Sequence, residues 1–463
     1  MPISMINFKS LEGSSKISIE GERFIEYSPK EAIIDLRGNF LAPKFVDGHT
    51  HIVNEINRSG WINLGSIRRK KDLLKLIYEF RGKIFLGYNW DESAWEDDPT
   101  FPNRKELDEV EFPVYLRRID GHIAVMNTKA IELLGFRKED FYDFERGIIV
   151  EDAVSRADKI LLKYAKKNAK AVIEKVKKLG INIALDMGFS VPLEFSVKGL
   201  EIIYYIYVEP DEEFENKLRR MKSLGAKIAG IKVIADGSIG ARTAALFYPY
   251  KDDPSNRGKL LIDEDALSLL VKKANSLGLQ LAVHAIGDRA IDVVSNALRY
   301  GDIRMRNRVE HFEMPHEDHI KKLSKYGVIA SMQPNFIANW QCKGCLYDIR
   351  LGWERAKMMN PLKTVLKHMR IAFGSDNMPM DPLYGTYGAM IHPLEEERLS
   401  FEESLRAYTY GSAYSAFINM CGIRPGCKAE ANVIIAKDFS NPESVREAKI
   451  VDIKNIKERL IPL

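Results

Sequence analysis

Cysteine, glutamine and histidine are scarce in this chain: four, three and nine among 463 residues. Four cysteines in so long a chain do not make the framework of a disulfide-stapled fold. Two of them, Cys342 and Cys345, form a single CxxC. Without a second pair or a nearby histidine it reads as ordinary free thiols rather than a zinc site. Long apolar runs are missing too, none approaching the ~18 residues that a membrane span needs. The opening MPISMINFKSLEGSSKISIE has no apolar segment of the kind a secretory leader carries. Nor is there a surplus of one charge. The net charge is +4 with both signs interspersed, so no nucleic acid and no membrane is expected as a partner. Runs such as Arg68-Arg69-Lys70-Lys71 read as solvated helix faces. A cytoplasmic protein is expected, with homo-oligomerisation left open. Few glutamines beside abundant lysine and glutamate lean towards a thermophilic composition.

What is present is apolar side chain enough for a large core, 45% hydrophobic against 29% charged, which is not the balance of a disordered chain. From about residue 181, strand-like apolar runs alternate with helical periodicity. The strand candidates are INIALDMG (181–188), LEIIYYIYV (200–208), IAGIKVIAD (228–236), LQLAVHAIG (279–287), RVEHFE (308–313), GVIASMQ (327–333) and RIAFGSD (370–376). Helical stretches such as 265–277 and 289–300 lie between them. With FVDGHTH (45–51) the strands number eight, which predicts an α/β fold, a (β/α)8 TIM barrel. Residues 55–160 then form one long insertion after the first barrel strand, with strand-like pieces of its own at 83–90 and 113–122. The predicted division is a small β-domain built from both termini, 1–44 with 415–463, and a barrel over 45–414 that includes the insertion.

FVDGHTH sets His49 and His51 at i and i+2, so in a strand both point to one face. At the C-terminal mouth of a barrel, two neutral imidazoles converging in this way suit a divalent metal such as zinc. His284 lies near the end of LQLAVHAIG, His311 in RVEHFE, Asp376 at the end of RIAFGSD, and Lys232 within GIKVIADGS. Six polar or ionisable groups thus fall at or near the ends of five apolar strands. A hydrogen-bonded structural side chain explains any one of them and explains the coincidence poorly.

With those residues in view, the chain resembles the amidohydrolase superfamily, and within it amidohydrolase family 3, the branch that includes N-substituted formamide deformylases. The matching motifs are FVDGHTH, NWDESAWEDDPT (89–100), RRIDGH (117–122), ADGSIGARTAAL (235–246), HAIGDRAID (284–292), RVEHFE and FGSDNMP (373–379), spread over residues 41–426. The resemblance implies that His49, His51, His284 and His311 are metal ligands and that Asp376 handles the proton and touches the metal. It implies that Lys232 reacts with CO₂ to give an N6-carboxylated side chain bridging two divalent ions, with zinc the expected metal. Burial beside cations lowers the pKa of a lysine and supplies the neutral amine that this reaction needs. The chain departs from the family at Ala431-Asn432-Val433-Ile434-Ile435-Ala436-Lys437 and in a short lead-in to the first strand, both in the terminal β-region.

The activity implied is hydrolysis of a carbon–nitrogen bond, other than a peptide bond, in a small-molecule amide. A bound metal lowers the pKa of water and polarises a carbonyl oxygen, while Asp376 passes a proton to the leaving nitrogen. A deaminase or cyclic-amide hydrolase on the same ligands is the alternative. An inactive scaffold barrel is a further one, which need not keep all six candidates. The insertion leaves the barrel on the face where βα-loops build the site, so it is expected to cover that face and lend Arg117, Asp120, His122 and Trp90 to the substrate. The competing expectations are an internal ion pair for Arg117 and Asp120, and a core position for Trp90 and Trp95.

Overall fold

In a computed structural model of the chain, the described residues are 3–28, 32–119, 123–150, 152–161, 166–188, 199–209 and 213–456. Asp120 and His122 lie outside them. Eight strands form one parallel sheet: β1 (Phe45–Thr50), β2 (Ile181–Met187), β3 (Glu201–Tyr207), β4 (Ile228–Ile234), β5 (Gln280–Ala285), β6 (Arg308–His311), β7 (Ile329–Met332) and β8 (Arg370–Phe373). Each pairs with its sequence neighbour in the order 1 to 8. Parallel strands buried on both faces need continuous apolar runs rather than alternation. The four consecutive buried residues of β3, Ile203 to Ile206, show that pattern. Helices return the chain between several strands, among them Glu264–Ser276, Asp288–Ala297, Glu317–Lys325 and Leu362–His368. The first of these starts where the Asp263 side chain accepts the backbone N–H of Ala266 at 2.8 Å.

The seam between β8 and β1 closes the barrel through bonds near its C-terminal end. Ser375 N donates to Asp47 Oδ1 (2.9 Å), Asp376 N to the His49 carbonyl (2.8 Å), and His51 N to Asn377 Oδ1 (2.9 Å). Backbone approaches backbone here with no room for a side chain. A Cβ at Gly374 would lie 2.2 Å from His49 N, and one at Gly48 would lie 2.8 Å from the Phe373 carbonyl oxygen. Gly374→Ala is therefore expected to cost on the order of 3 kcal/mol, because the atom it meets is backbone that cannot step aside. Urea unfolding at matched protein concentration measures it.

The barrel and the terminal strands form one compact unit, residues 1–53 with 173–463, and residues 54–172 form another. In the first unit the termini build two four-stranded sheets. One joins Ile3–Ile6, Lys16–Glu20, Arg23–Ile25 and Ala32–Asp35. The other pairs Phe40–Pro43 with Ala431–Ile435 antiparallel, flanked by Lys9–Ser10 and Lys449–Asp452. Met5, Phe24, Leu41, Ile423, Ala431 and Val433 share one buried cluster, so both ends of the chain pack into it.

The cysteines correct an expectation. They are paired, Cys342 with Cys345 and Cys421 with Cys427, rather than free. Both pairs are local, three and six residues apart, a spacing that a count of cysteines over the whole chain does not weigh. Among the described residues no helix is long and apolar enough to cross a membrane.

The second unit carries a five-stranded sheet in the order Ile148–Val150, Ile123–Met126, Val114–Arg118, Phe85–Trp90 and Ile62–Asn63. Trp90 is 0% exposed and packs with Trp95, Phe101, Leu116 and Val125 in the core of this unit. Its burial here assigns it to the core expectation rather than to an open lining. Arg117 Nη1 pairs with Asp158 Oδ2 at 2.5 Å within the same unit.

Candidate functional site

The C-terminal ends of β1, β5, β6 and β8, with Lys232 on β4, bring six sequence-selected side chains together. His49, His51 and Asp376 offer ligand atoms that all lie within 4.8 Å of one another. Asp376 Oδ1 is 3.0 Å from His51 Nε2 and 3.7 Å from His49 Nε2. The His311 ring centroid is 4.8 Å from that of His49 and 4.5 Å from that of His284. The turns that deliver these groups use left-handed backbone at non-glycine positions. His311 has φ 69°, Phe312 52°, Asp376 50° and Asn377 60°. Such strain is tolerated where the surrounding structure holds it in place.

Three of the imidazoles have a nitrogen left free of protein hydrogen bonds among the described residues, while Nε2 of His51 faces the Asp376 carboxylate at 3.0 Å. Nδ1 of His49 is 2.7 Å from Glu310 Oε2, so its N–H donates to the carboxylate and Nε2 keeps the lone pair. Nε2 of His284 donates to the Gly237 carbonyl at 2.9 Å, which leaves its Nδ1 as the acceptor. Nδ1 of His311 is buried with no hydrogen-bond partner among the described residues.

The electrostatics keep His49, His284 and His311 neutral. Burial, helped by the Lys232 charge, pushes His49 down to about 4 and His284 down to about 3. His311 falls well below its ordinary value through burial and the neighbouring His284, His49 and Lys232. Lys232 itself is 4% exposed, and burial brings it down to about 8 against the raising pull of Glu310 and Asp376. For Asp376 burial acts upward, but the His51 hydrogen bond and the His49, His51 and Lys232 charges outweigh it and hold the carboxyl at about 2. His51 moves the other way: burial lowers it, and the Asp376 carboxylate more than compensates. Neutral imidazoles with free lone pairs beside an ionised carboxylate are a donor set that suits a divalent cation.

Two groups that carry this site were not singled out from the sequence. Glu310 orients His49, and Arg308 grips Glu310 with Nε to Oε1 at 2.7 Å and Nη2 to Oε2 at 3.0 Å. Arg308 also donates to the Gly48 carbonyl (2.7 Å), Ser331 Oγ (2.8 Å), Ser415 Oγ (3.2 Å) and the Tyr205 hydroxyl oxygen (3.3 Å), all from a fully buried position. Burial acts to raise Glu310, yet Arg308 and then His49 drive it well below its ordinary value. The available signal was the alternation of RVEHFE, which puts Arg308 and Glu310 on one face of a strand with apolar neighbours.

Known proteins match this chain along most of its length. The protein of Bacillus subtilis (strain 168) named "Putative amidohydrolase YtcJ" is 27% identical over 439 residues, covering 83% of this chain and 82% of that one. An uncharacterized metal-dependent hydrolase from Pyrococcus furiosus is 29% identical, with a TM-score of 0.76 over 95% of this chain and 100% of its own. One from Pyrococcus horikoshii OT3 is 28% identical, with a TM-score of 0.77 over 95% and 98%. A model of the amidohydrolase family matches residues 32–457, a span that includes all eight barrel strands and all six clustered side chains. The chain belongs to the amidohydrolase family.

Proposed function

We propose that this protein hydrolyses a carbon–nitrogen bond, other than a peptide bond, in a small-molecule amide. The observation that carries the reading is the convergence of His49, His51 and Asp376 on one point, beside rings whose free nitrogens are fixed by Glu310 and by the Gly237 carbonyl. His49, His51, His284, His311, Asp376 and Lys232 would hold two divalent ions, zinc by the nature of the donors, with Lys232 carboxylated. The ions would polarise a carbonyl oxygen and bring the pKa of water towards neutrality. Asp376 takes a proton from the attacking water and delivers it to the leaving nitrogen, which departs poorly as an anion. Glu310 holds the His49 ring in one tautomer and one orientation. Lys232, depressed to about 8, exposes a neutral amine for carboxylation more readily than a solvated lysine does.

Elemental analysis of purified protein is expected to find close to two divalent metals per chain. One metal per chain would replace this arrangement with a mononuclear site and an unmodified Lys232. The reaction class is tested with metal-loaded protein on a panel of N-formyl, N-acyl and cyclic amides. Arg117, Asp120 and His122 are proposed to contact the substrate, and Arg117 also pairs with Asp158. His122→Ala is expected to lower kcat/KM on the best substrate of the panel, and an unchanged value would remove that residue from the site.

A further inference from the structure

The three glutamines of the chain are all buried, Gln280 at 0%, Gln333 at 1% and Gln341 at 2% exposure. Two of them are fully engaged. Gln280 Nε2 donates to the Arg306 carbonyl at 2.6 Å and the Ser415 carbonyl at 3.1 Å, and its Oε1 accepts the Tyr205 hydroxyl at 2.5 Å. Gln341 Nε2 donates to the Met359 carbonyl at 2.8 Å, and its Oε1 accepts from Asn360 Nδ2 at 2.9 Å. Gln333 differs. Among the described residues neither its Nε2 nor its Oε1 has a partner. A buried polar group left in that state is costly, and native structures keep few of them without a reason.

The position of Gln333 supplies the reason. Ser331 Oγ accepts Arg308 Nη2 inside the barrel. Side chains alternate along a strand, and Gln333, one residue past the end of β7 and two beyond Ser331, continues that inward-facing parity towards the C-terminal mouth. Strand β7 lies between β6, which ends on His311, and β8, whose following turn carries Asp376. The turn that begins at Gln333 is fastened. Asn335 Nδ2 donates to the carbonyls of Ser375 (2.8 Å) and Met378 (2.7 Å), and Phe336 N donates to the Gln333 carbonyl at 3.0 Å. On the outer side, a Cβ at Gly388 would come 2.1 Å from the Pro334 carbonyl oxygen, so the turn has no slack there. Gln333 thus sits in a fastened turn between the strand that ends on His311 and the turn that carries Asp376, and its buried carboxamide keeps a donor and an acceptor unspent among the described residues.

We infer that Gln333 is a substrate-recognition residue whose carboxamide pairs, through both polar atoms at once, with an N–H and a C=O on one edge of the substrate. Lactams, cyclic ureides and primary amides present that edge. A linear secondary amide in its ordinary trans form puts N–H and C=O on opposite sides and engages one of the two atoms only. The inference rests on the amide-hydrolase reading and narrows it.

Hydantoin carries the required edge, and 1,3-dimethylhydantoin is the same ring without its N–H groups. On the metal-loaded protein, hydantoin is expected to raise Tm in a saturable way and 1,3-dimethylhydantoin is not. Gln333→Met is expected to weaken half-saturation by hydantoin at least about tenfold. Its ligand-free Tm should equal or exceed that of the wild type, because methionine buries no unpartnered polar atom. Gln333→Leu repeats both measurements with a different shape. A fall of several degrees in ligand-free Tm for both variants would make Gln333 a structural residue and overturn the inference. Equal shifts from the two hydantoins, or none from either, would overturn the pairing edge. Failure of the broader reading is separate, because it shows as no turnover of any amide in the panel, and none of these binding and Tm measurements depends on turnover.

Discussion

Asp376→Asn is expected to cut kcat on an amide substrate by at least ~10²-fold while leaving most of the bound metal in place. His284, His311 and Lys232 lie beside the group formed by His49, His51 and Asp376, so bound ions would keep the greater part of their proposed ligands. Asparagine preserves the size and one oxygen, and it loses the ability to accept a proton. It also loses the ionised partner of His51, 3.0 Å away, so the histidine is expected to remain as a neutral ring. His49→Ala should behave differently, losing metal and activity together, because it removes a ligand atom and the group that Glu310 orients. Retention of more than a tenth of wild-type kcat in Asp376→Asn would remove the carboxylate from proton transfer. A metal-free Asp376→Asn protein would make it chiefly a ligand.

Arg308→Met is expected to destabilise the protein by about 3–5 kcal/mol, as seen when one partner of a buried pair is removed. Arg308 and Glu310 are both 0% exposed, and no water can take over the charge of the orphaned carboxylate. The six hydrogen bonds that Arg308 donates also hold the Gly48 carbonyl and Ser331, so the loss reaches β1 and β7. Adding Glu310→Gln to Arg308→Met should recover part of the stability, since the uncompensated charge disappears. Denaturant titration of the two single variants and the double variant measures the coupling. A strictly additive result would mean that the two residues do not act as a pair.

The barrel was legible because its strands are buried on both faces. Runs such as IAGIKVIAD need no partner to be recognised as strands, and each of the eight expected runs contains one. The ends were less legible. RVEHFE and RIAFGSD read as strands through residues 313 and 376, whereas β6 stops at His311 and β8 at Phe373. There the backbone leaves the ladder through positive φ at His311, Phe312, Asp376 and Asn377, and residue type alone does not announce that departure. The histidines and Asp376 stood out as ionisable groups at the ends of apolar strands. Arg308 and Glu310 did not, because charged residues in a short strand read as a wet face until the sheet closes on itself. Trp90 was open in the same way: an aromatic ring suits a pocket wall or a core equally well, and only the packing of Trp95, Phe101 and Leu116 around it decides.

The seam between β8 and β1 ties the cluster to the order in which the chain is made. His51 N and Asn377 Oδ1 meet across 326 residues of sequence, and the same junction joins the turn bearing Asp376 to the strand bearing His49 and His51. A ribosome delivers the two histidines early and the carboxylate late. Until the eighth strand emerges, the first has a neighbour on one side only, and the three-residue group does not exist. Capture of an ion by that group would therefore be a late event, coupled to the closing step of folding rather than to any local hairpin or helix. A cation held there would bridge the first and last strands of the sheet and act as a latch on the barrel, slowing its unravelling from the one junction that lacks a continuous ladder.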